Sequence, residues 1–402
     1  MRVFRLARQL SQWPYLGLAM AALAAMGPMH RTAVAEGPNT LTSEELDDGW
    51  ILLFDGETLY GWRARGDADW HVADGVLRAT EGTPGLLHTS SQWGNFELKV
   101  DFRIEADGNS GVFVRTPPDP PPTPGRYYEF NIADADGEEW PTGSLVHHKK
   151  AASPGENADW RTMHVRADGG RFTVKIDGAD VLEYDDPKPL GRGYIGLQFR
   201  RGTVEFRNVK LKPLGLNSLF NGEDLSGWRL HEEQSKASVT PEGWLRLKDG
   251  PGTLETEDQW ADFTMQMEVF VNGEELNSGV FFRCIPRERW NGYESQIHNG
   301  YIDGDRTKPR DAGTGGIFRR QDARKVVADD FEWFSKTILV ADRHMAVWVN
   351  GYQVTDWTDR REPDENPRRG LRLEAGTIQI QGYAPNTDLS FRNIGIAEIP
   401  KR

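Results

Sequence analysis

Three observations predict an all-β protein built from two tandem antiparallel sandwiches. The chain of 402 residues repeats one ordered set of phrases, its apolar residues alternate at period two, and no segment carries a sustained helical stripe. A chain of this length can form two or three domains, each burying its own core.

The duplication is read from the landmarks in order. Leu53-Phe-Asp-Gly-Glu-Thr-Leu-Tyr-Gly-Trp62 returns as Leu219-Phe-Asn-Gly-Glu-Asp-Leu-Ser-Gly-Trp228, and Asn109-Ser-Gly-Val-Phe-Val-Arg115 returns as Asn277-Ser-Gly-Val-Phe-Phe-Arg283. Tyr127-Tyr-Glu-Phe-Asn-Ile132 pairs with Gly292-Tyr-Glu-Ser-Gln-Ile297, and Val174-Lys-Ile-Asp-Gly178 with Val347-Trp-Val-Asn-Gly351. Gly193-Tyr-Ile-Gly-Leu-Gln198 pairs with Gly376-Thr-Ile-Gln-Ile-Gln381, and Phe206-Arg-Asn-Val209 with Phe391-Arg-Asn-Ile394. The repeat is domain-sized rather than solenoid-sized. It implies a first domain over 48–213 and a second over 214–402, preceded by a linker over 36–47.

Within each copy the signals are those of strands. Phe96-Glu-Leu-Lys-Val-Asp-Phe-Arg-Ile104 alternates apolar and polar residues, and Phe263-Thr-Met-Gln-Met-Glu-Val-Phe270 does so over most of its length. Asp-Gly at 177–178 and Asn-Gly at 350–351 mark tight hairpins. Short alternating runs separated by Gly, Asp, Asn and Pro indicate sandwiches. The proline-rich stretch 117–124 and the charged stretch 359–369 read as surface excursions.

The first residues differ from the rest. Arg2, Arg5 and Arg8 precede an apolar run over 15–26, and Ala33-Val-Ala35 has the small residues that a signal peptidase reads. A signal peptide over 1–35 is expected, giving a periplasmic or secreted protein. The apolar run is shorter than the ~20 residues that span a bilayer, so no transmembrane segment is expected in the mature protein.

The formal net charge of -13 and pI near 5.3 argue against a nucleic-acid partner, which requires a basic surface to neutralise phosphates. Cys284 is the only cysteine, so no internal disulfide can form, and its apolar strand setting suits a core residue.

Strand alternation points to a candidate groove. Gly111, Phe113 and Arg115 should share one face, and in the next strand Glu129 and Asn131 should lie opposite Tyr128, Phe130 and Ile132. The second copy places Phe281 with Arg283, and Glu294 with Gln296 and His298. Such a face can hold sugar hydroxyls between polar side chains and stack sugar rings on aromatic ones. An ordinary solvated cross-strand Arg–Glu pair, worth ~0.2–1 kcal/mol, is the competing reading. Adjacent strand residues point oppositely, so at most one of His147 and His148 can face the groove. His148, Lys149 and Arg319 are the expected contacts from these segments, where a histidine can serve as a base or metal ligand and a cation can hold an anionic sugar.

Sharper motifs are missing. There is no Glu-x-Asp-x-x-Glu array of a retaining glycosidase, no Gly-x-Ser-x-Gly elbow and no His-Glu-x-x-His helix.

Taken in order, the landmarks resemble those of the 3-keto-disaccharide hydrolase domain family, in both copies. The resemblance implies a concanavalin-like jelly roll in each copy and an exported protein acting on glycosides oxidised at C3. A C3 ketone acidifies the C2 proton, so one base can drive loss of the C1 leaving group, and water then adds back. Glu129 and Glu294 match the family's Tyr-Glu motif as base or metal ligand, and Arg115 and Arg283 match its arginine as sugar-orienting or enolate-stabilising groups. A divalent metal is a possible cofactor. The family's Tyr-Glu-x-Gln-Ile-x-Asp is broken once in each copy, by Asn131 in the first and Asn299 in the second, while Asp134 and Gln296 keep it. A non-catalytic tandem carbohydrate-binding or surface-assembly module remains the alternative.

Overall fold

The computed structural model describes residues 37–401, apart from 121–124, 136, 153–158 and 232–233. The expected signal peptide lies outside the described residues. Two β-sandwiches follow one another, each pairing a five-stranded with an eight-stranded antiparallel sheet. In the first, the five-stranded sheet runs Trp62–Arg65, Gly85–Thr89, Tyr194–Phe199, Ser110–Thr116, Tyr128–Ile132. In the second it runs Trp228–His231, Gly252–Thr256, Thr377–Gly382, Ser278–Cys284, Tyr293–Ile297. Strand for strand the two orders are equivalent, so the repeated phrases reflect a repeated topology.

Alternation sets the layers. Along Phe96–Ile104, Phe96, Leu98, Val100 and Phe102 are buried while the residues between them are partly exposed. They meet Val112, Val114, Phe130 and Ile132 of the five-stranded sheet in one apolar cluster. Truncating one such phenylalanine to alanine costs ~3–5 kcal/mol. Phe263, Met265, Met267 and Val269 play the same part in the second sandwich. Both predicted hairpins form: Asp177 and Gly178, like Asn350 and Gly351, have positive φ, as a two-residue primed turn requires.

The segment expected as a linker is folded. Ser43–Asp47 is a short helix whose Thr42 N-cap and Glu45 form a capping box. Leu41, Leu46, Trp50 and Leu52 make a small apolar cluster, and Lys210 Nζ donates to Glu45 Oε2 at 2.7 Å. Just beyond the segment, Gly49 O accepts from Gln266 Nε2 of the second sandwich at 2.8 Å.

The two sandwiches share a buried interface. Leu339, Ala341, Ala346 and Trp348, from the second sandwich's larger sheet, belong to the core cluster of the first. The Trp348 indole donates to Leu52 O at 2.9 Å and its ring meets that of Trp93 at 5.6 Å. Arg192 bridges Asp262 at 2.5 Å and Asp342 at 2.7 Å, while Arg324 pairs with Asp55 at 2.8 Å. Buried apolar area together with partly buried ion pairs resists shear between the domains, because separating them would expose the one and break the other.

Candidate active site

Each five-stranded sheet turns one face to the core and the other, polar, face away. In the first sandwich the register aligns Arg63, His88, Gly196, Phe113 and Glu129 across the strands. In the second it aligns Arg229, Glu255, Gln379, Phe281 and Glu294. A parallel row holds Thr253 beside Gln381, and Gly279 beside Gln296.

Glu129 and Glu294 lie on these faces and are only 7% and 6% exposed. Each carboxyl rests over the glycine of the neighbouring strand. A methyl group on Gly111 would come within 3.1 Å of Glu129 Oε1, and one on Gly279 within 2.6 Å of Glu294 Oε1. That close approach accounts for glycine in Asn-Ser-Gly. Burial raises the Glu129 carboxyl to about 7, against the pull of Arg200 and Gln198. Burial likewise raises Glu294 to about 8, with Asp311 pushing the same way and Arg368, Lys336 and Arg319 opposing. A carboxyl that titrates near neutrality can accept or return a proton.

Around these acids, buried polar atoms lack partners among the described residues. They include Gln198 Oε1 and His88 Nε2 in the first face, and Thr253 Oγ1, Gln381 Oε1 and Gln296 Oε1 in the second. Buried groups of this kind are normally satisfied, so those on the two equivalent faces mark a place for a hydroxyl-rich ligand or for water. Aromatic rings flank them: Phe113 stacks on Tyr127 at 5.1 Å, and Phe281 on Trp290 at 6.4 Å.

The second face also holds a histidine–carboxylate pair. His231 Nε2 lies 2.5 Å from Glu255 Oε2, and Glu255 Oε1 accepts from Thr377 Oγ1 at 2.6 Å and Gln379 Nε2 at 3.0 Å. Burial would raise this carboxyl, but its bonds from Thr377, Gln379 and His231 hold it below the usual range.

Several expected site residues lie elsewhere. Arg115 and Arg283 do not share the groove face, because a register slip follows Phe113 and Phe281 and each arginine takes a positive φ. Arg115 is buried and donates to Gly94 O at 2.9 Å and to Gly169 O and Leu190 O at 2.7 Å. Arg283 is fully buried and bonds Ala261 O at 2.8 Å, Asp342 O at 2.8 Å and Asp262 Oδ1 at 2.7 Å. Period-two alternation fails where the bulge inserts a residue. His148 packs beside Tyr128 and Tyr184, with Nδ1 3.2 Å from Tyr184 Oη, and Lys149 donates to Glu183 O at 2.8 Å. Both therefore face the larger sheet. His147, at positive φ, instead neighbours Trp140, whose carbonyl accepts from Asn131 Nδ2.

Asn131 and Gln296 do lie on the polar faces, Gln296 with a 3.4 Å contact to Asp311. His298 follows the strand end, where its Nδ1 accepts from Gly300 N at 3.1 Å. Arg319 lines a small, partly open cavity with Gly292, Glu294, Arg320 and Arg368. Sequence reasoning missed His88, Gln198, Glu255, Gln379, Gln381 and Arg368. The alternating glutamines of Gly376-Thr-Ile-Gln-Ile-Gln381 carried a usable signal, since polar residues at every second position of an apolar strand belong on an open face. Among the described residues no three His, Cys, Asp or Glu side chains are grouped as a protein-held metal would need.

Fold and faces define a class first: a tandem β-sandwich protein with a buried carboxyl on each polar sheet face. Residues 49–212 and 215–397 match the 3-keto-alpha-glucoside-1,2-lyase-like domain, and the chain belongs to that family. Over 78 residues it is 35% identical to the 3-keto-disaccharide hydrolase of Bacteroides thetaiotaomicron, a stretch covering 16% of this chain and 27% of that relative. The match thus spans about a quarter of the relative's length. A solved Parabacteroides distasonis protein, provisionally assigned to the glycosyl hydrolases, is 24% identical over 44% of this chain and 100% of its own, with a TM-score of 0.40. A Bacillus subtilis carbohydrate binding module is 18% identical over 38% of this chain and 95% of its own, with a TM-score of 0.30.

Proposed function

We propose that this chain cleaves 3-keto-glycosides or 3-keto-disaccharides by elimination and hydration, and that it does so after export and removal of residues 1–35. The observation that supports this most is the buried carboxyl on each polar face, raised to about 7 in Glu129 and about 8 in Glu294 and surrounded by unpartnered hydrogen-bonding atoms. Ionised, either glutamate can take the C2 proton that the adjacent ketone acidifies. The electron pair shifts through C1–C2, and the C1–O bond breaks as the leaving oxygen takes a proton from the incoming water and departs as its alcohol. Water then adds its hydroxyl to C1 while the glutamic acid returns its proton to C2, which amounts to net hydrolysis.

The enolate formed on the way needs positive or donor groups. In the first face Arg200 and the Gln198 amide stand beside Glu129. In the second, Arg319 and Arg368 stand beside Glu294. Arg115 and Arg283 act at a distance, by fixing the strand ends. No helix among the described residues is long and apolar enough to cross a membrane.

Purified protein is assayed for free sugar released from a 3-keto-glucoside, alongside Glu129→Gln, Glu294→Gln and the double variant. Loss in one single variant assigns turnover to that sandwich. Undiminished turnover in the double variant removes both glutamates as bases. A second reading, a non-catalytic carbohydrate-binding module, is favoured by the unpartnered side-chain oxygens of Thr253, Gln381 and Gln296, which call for a ligand rather than a reaction. Saturable glycan binding with no product would select it.

A further inference from the structure

The two polar faces differ most at one corner. In the first sandwich residues 187–189 join Asp186, which accepts from Tyr128 Oη at 2.5 Å, to Leu190, whose amide donates to the same hydroxyl at 3.1 Å. In the second the equivalent anchors are Asp359 and Arg372 on Tyr293 Oη, at 2.8 and 2.9 Å, and residues 360–371 lie between them. This longer loop has its own internal structure. Asp364 and Leu371 are joined through backbone bonds, Arg361 pairs with Asp359 at 2.8 Å and donates to Pro367 O at 2.9 Å, and Leu371 is 2% exposed.

The loop brings Arg368 over the polar face. Its guanidinium lies 5.7 Å from the Phe281 ring centre, and its Nε donates to Trp290 O at 2.5 Å. Phe281 is the cross-strand partner of Glu294. Arg320 ties the loop down through Arg368 O at 2.7 Å, and Arg319 lines the same cavity. Among the described residues none of these three arginines forms an ion pair, although the chain as a whole is acidic at -13. Glu294, the acid in the cavity, is raised to about 8 by burial, so much of its population is uncharged at neutral pH. In the first sandwich the positions of Arg319, Arg320 and Gly292 are taken by His147, His148 and Tyr127, and the loop is absent.

We propose that the second site selects an acidic sugar, one whose ring carries a carboxylate or sulfate, and holds that oxyanion between Arg319, Arg320 and Arg368, while the first site takes a neutral sugar. The inference rests on the carbohydrate reading of both faces. Guanidinium groups suit the recognition because their planar forks match oxyanions bidentately. None of the three is in an ion pair, Asp359 being paired with Arg361 and acting on Arg320 only from farther off, so an acidic ligand gains attraction without displacing an existing pair.

The test is calorimetric titration of the full chain with a glucuronosyl disaccharide, a sulfated glucosyl disaccharide and their neutral counterpart, at low and high salt. One acidic ligand or both should bind more tightly than the neutral one, and the preference should shrink with salt. Which acid binds identifies the anionic group. Arg319→Ala with Arg368→Ala should weaken acidic binding roughly ten- to hundredfold, as expected for charged hydrogen bonds, and weaken neutral binding by a much smaller factor. Arg368→Lys, with Arg319 intact, should retain part of the preference. Neutral binding equal to acidic binding at low salt, or acidic binding indifferent to the double substitution, overturns the inference and leaves the carbohydrate reading standing. Turnover of a neutral 3-keto-glucoside with no acidic binding does the same, whereas neither binding nor turnover overturns both.

Discussion

Lys336 and Glu294 approach the same strand from opposite faces. The Lys336 side chain lies in the core of the second sandwich with its Nζ 3.1 Å from Ser295 O and 2.7 Å from Gln296 O, while Glu294 occupies the polar face above. Burial lowers the amine to about 7, against the pull of Glu294. The first sandwich holds apolar Met163 at the equivalent position.

Lys336→Met should therefore stabilise the protein by about 1–4 kcal/mol, since replacing a buried charge with an apolar group of similar size removes a desolvation cost. A folded amine pKa below the unfolded one contributes stability above the unfolded value and loses it as pH falls through about 7. The gain should thus be largest below pH 7 in thermal unfolding. Removing the cation should also push the Glu294 titration upward.

The raised glutamates have the opposite sign. Their contribution to stability is complete below the unfolded value of 4.5 and is lost as pH rises through about 7 for Glu129 and about 8 for Glu294. Unfolding temperatures measured from pH 4 to 9 should fall less steeply in Glu129→Gln and Glu294→Gln. If the ionised glutamate is the base, kcat/KM should rise about tenfold per pH unit below these values and level off above them.

Arg115→Ala should cost roughly 3 kcal/mol or more, because it leaves buried carbonyls of Gly94, Gly169 and Leu190 short of a charged donor. Denaturant unfolding will show the loss. KM of the protein that remains folded should be unchanged, which a sugar-contacting arginine would not permit.

Gly279→Ala should impair the second site more than Gly111→Ala impairs the first. The added methyl would lie 2.6 Å from the Glu294 carboxyl but 3.1 Å from that of Glu129, and a flexible carboxylate can swing away at small cost in stability. Parallel assays of turnover and melting temperature should show activity falling further than stability.

Much of the fold was legible because its signals are local. Alternation along Phe96–Ile104 and the Asp-Gly and Asn-Gly turns act within a few residues, and duplication displayed each signal twice. The placement of Glu129 and Asn131 away from the core followed from that alternation. The same rule misplaced Arg115 and Arg283, because one residue in a bulge reverses every later side chain, and the expectation of His148 in the groove failed because both histidines lie in a turn, where alternation does not hold.

By itself the sequence determined two all-β copies, their strand faces and the pair of Tyr-Glu motifs, all set by residues near one another in the chain. Tertiary structure alone decided which groups meet there. It put the arginines beneath the sheets as struts, drew residues 360–371 over Phe281, set Lys336 under Glu294 and docked Trp348 against Trp93. Each of these contacts joins segments far apart in the chain, and their meeting is fixed by core packing and strand register rather than by local preference.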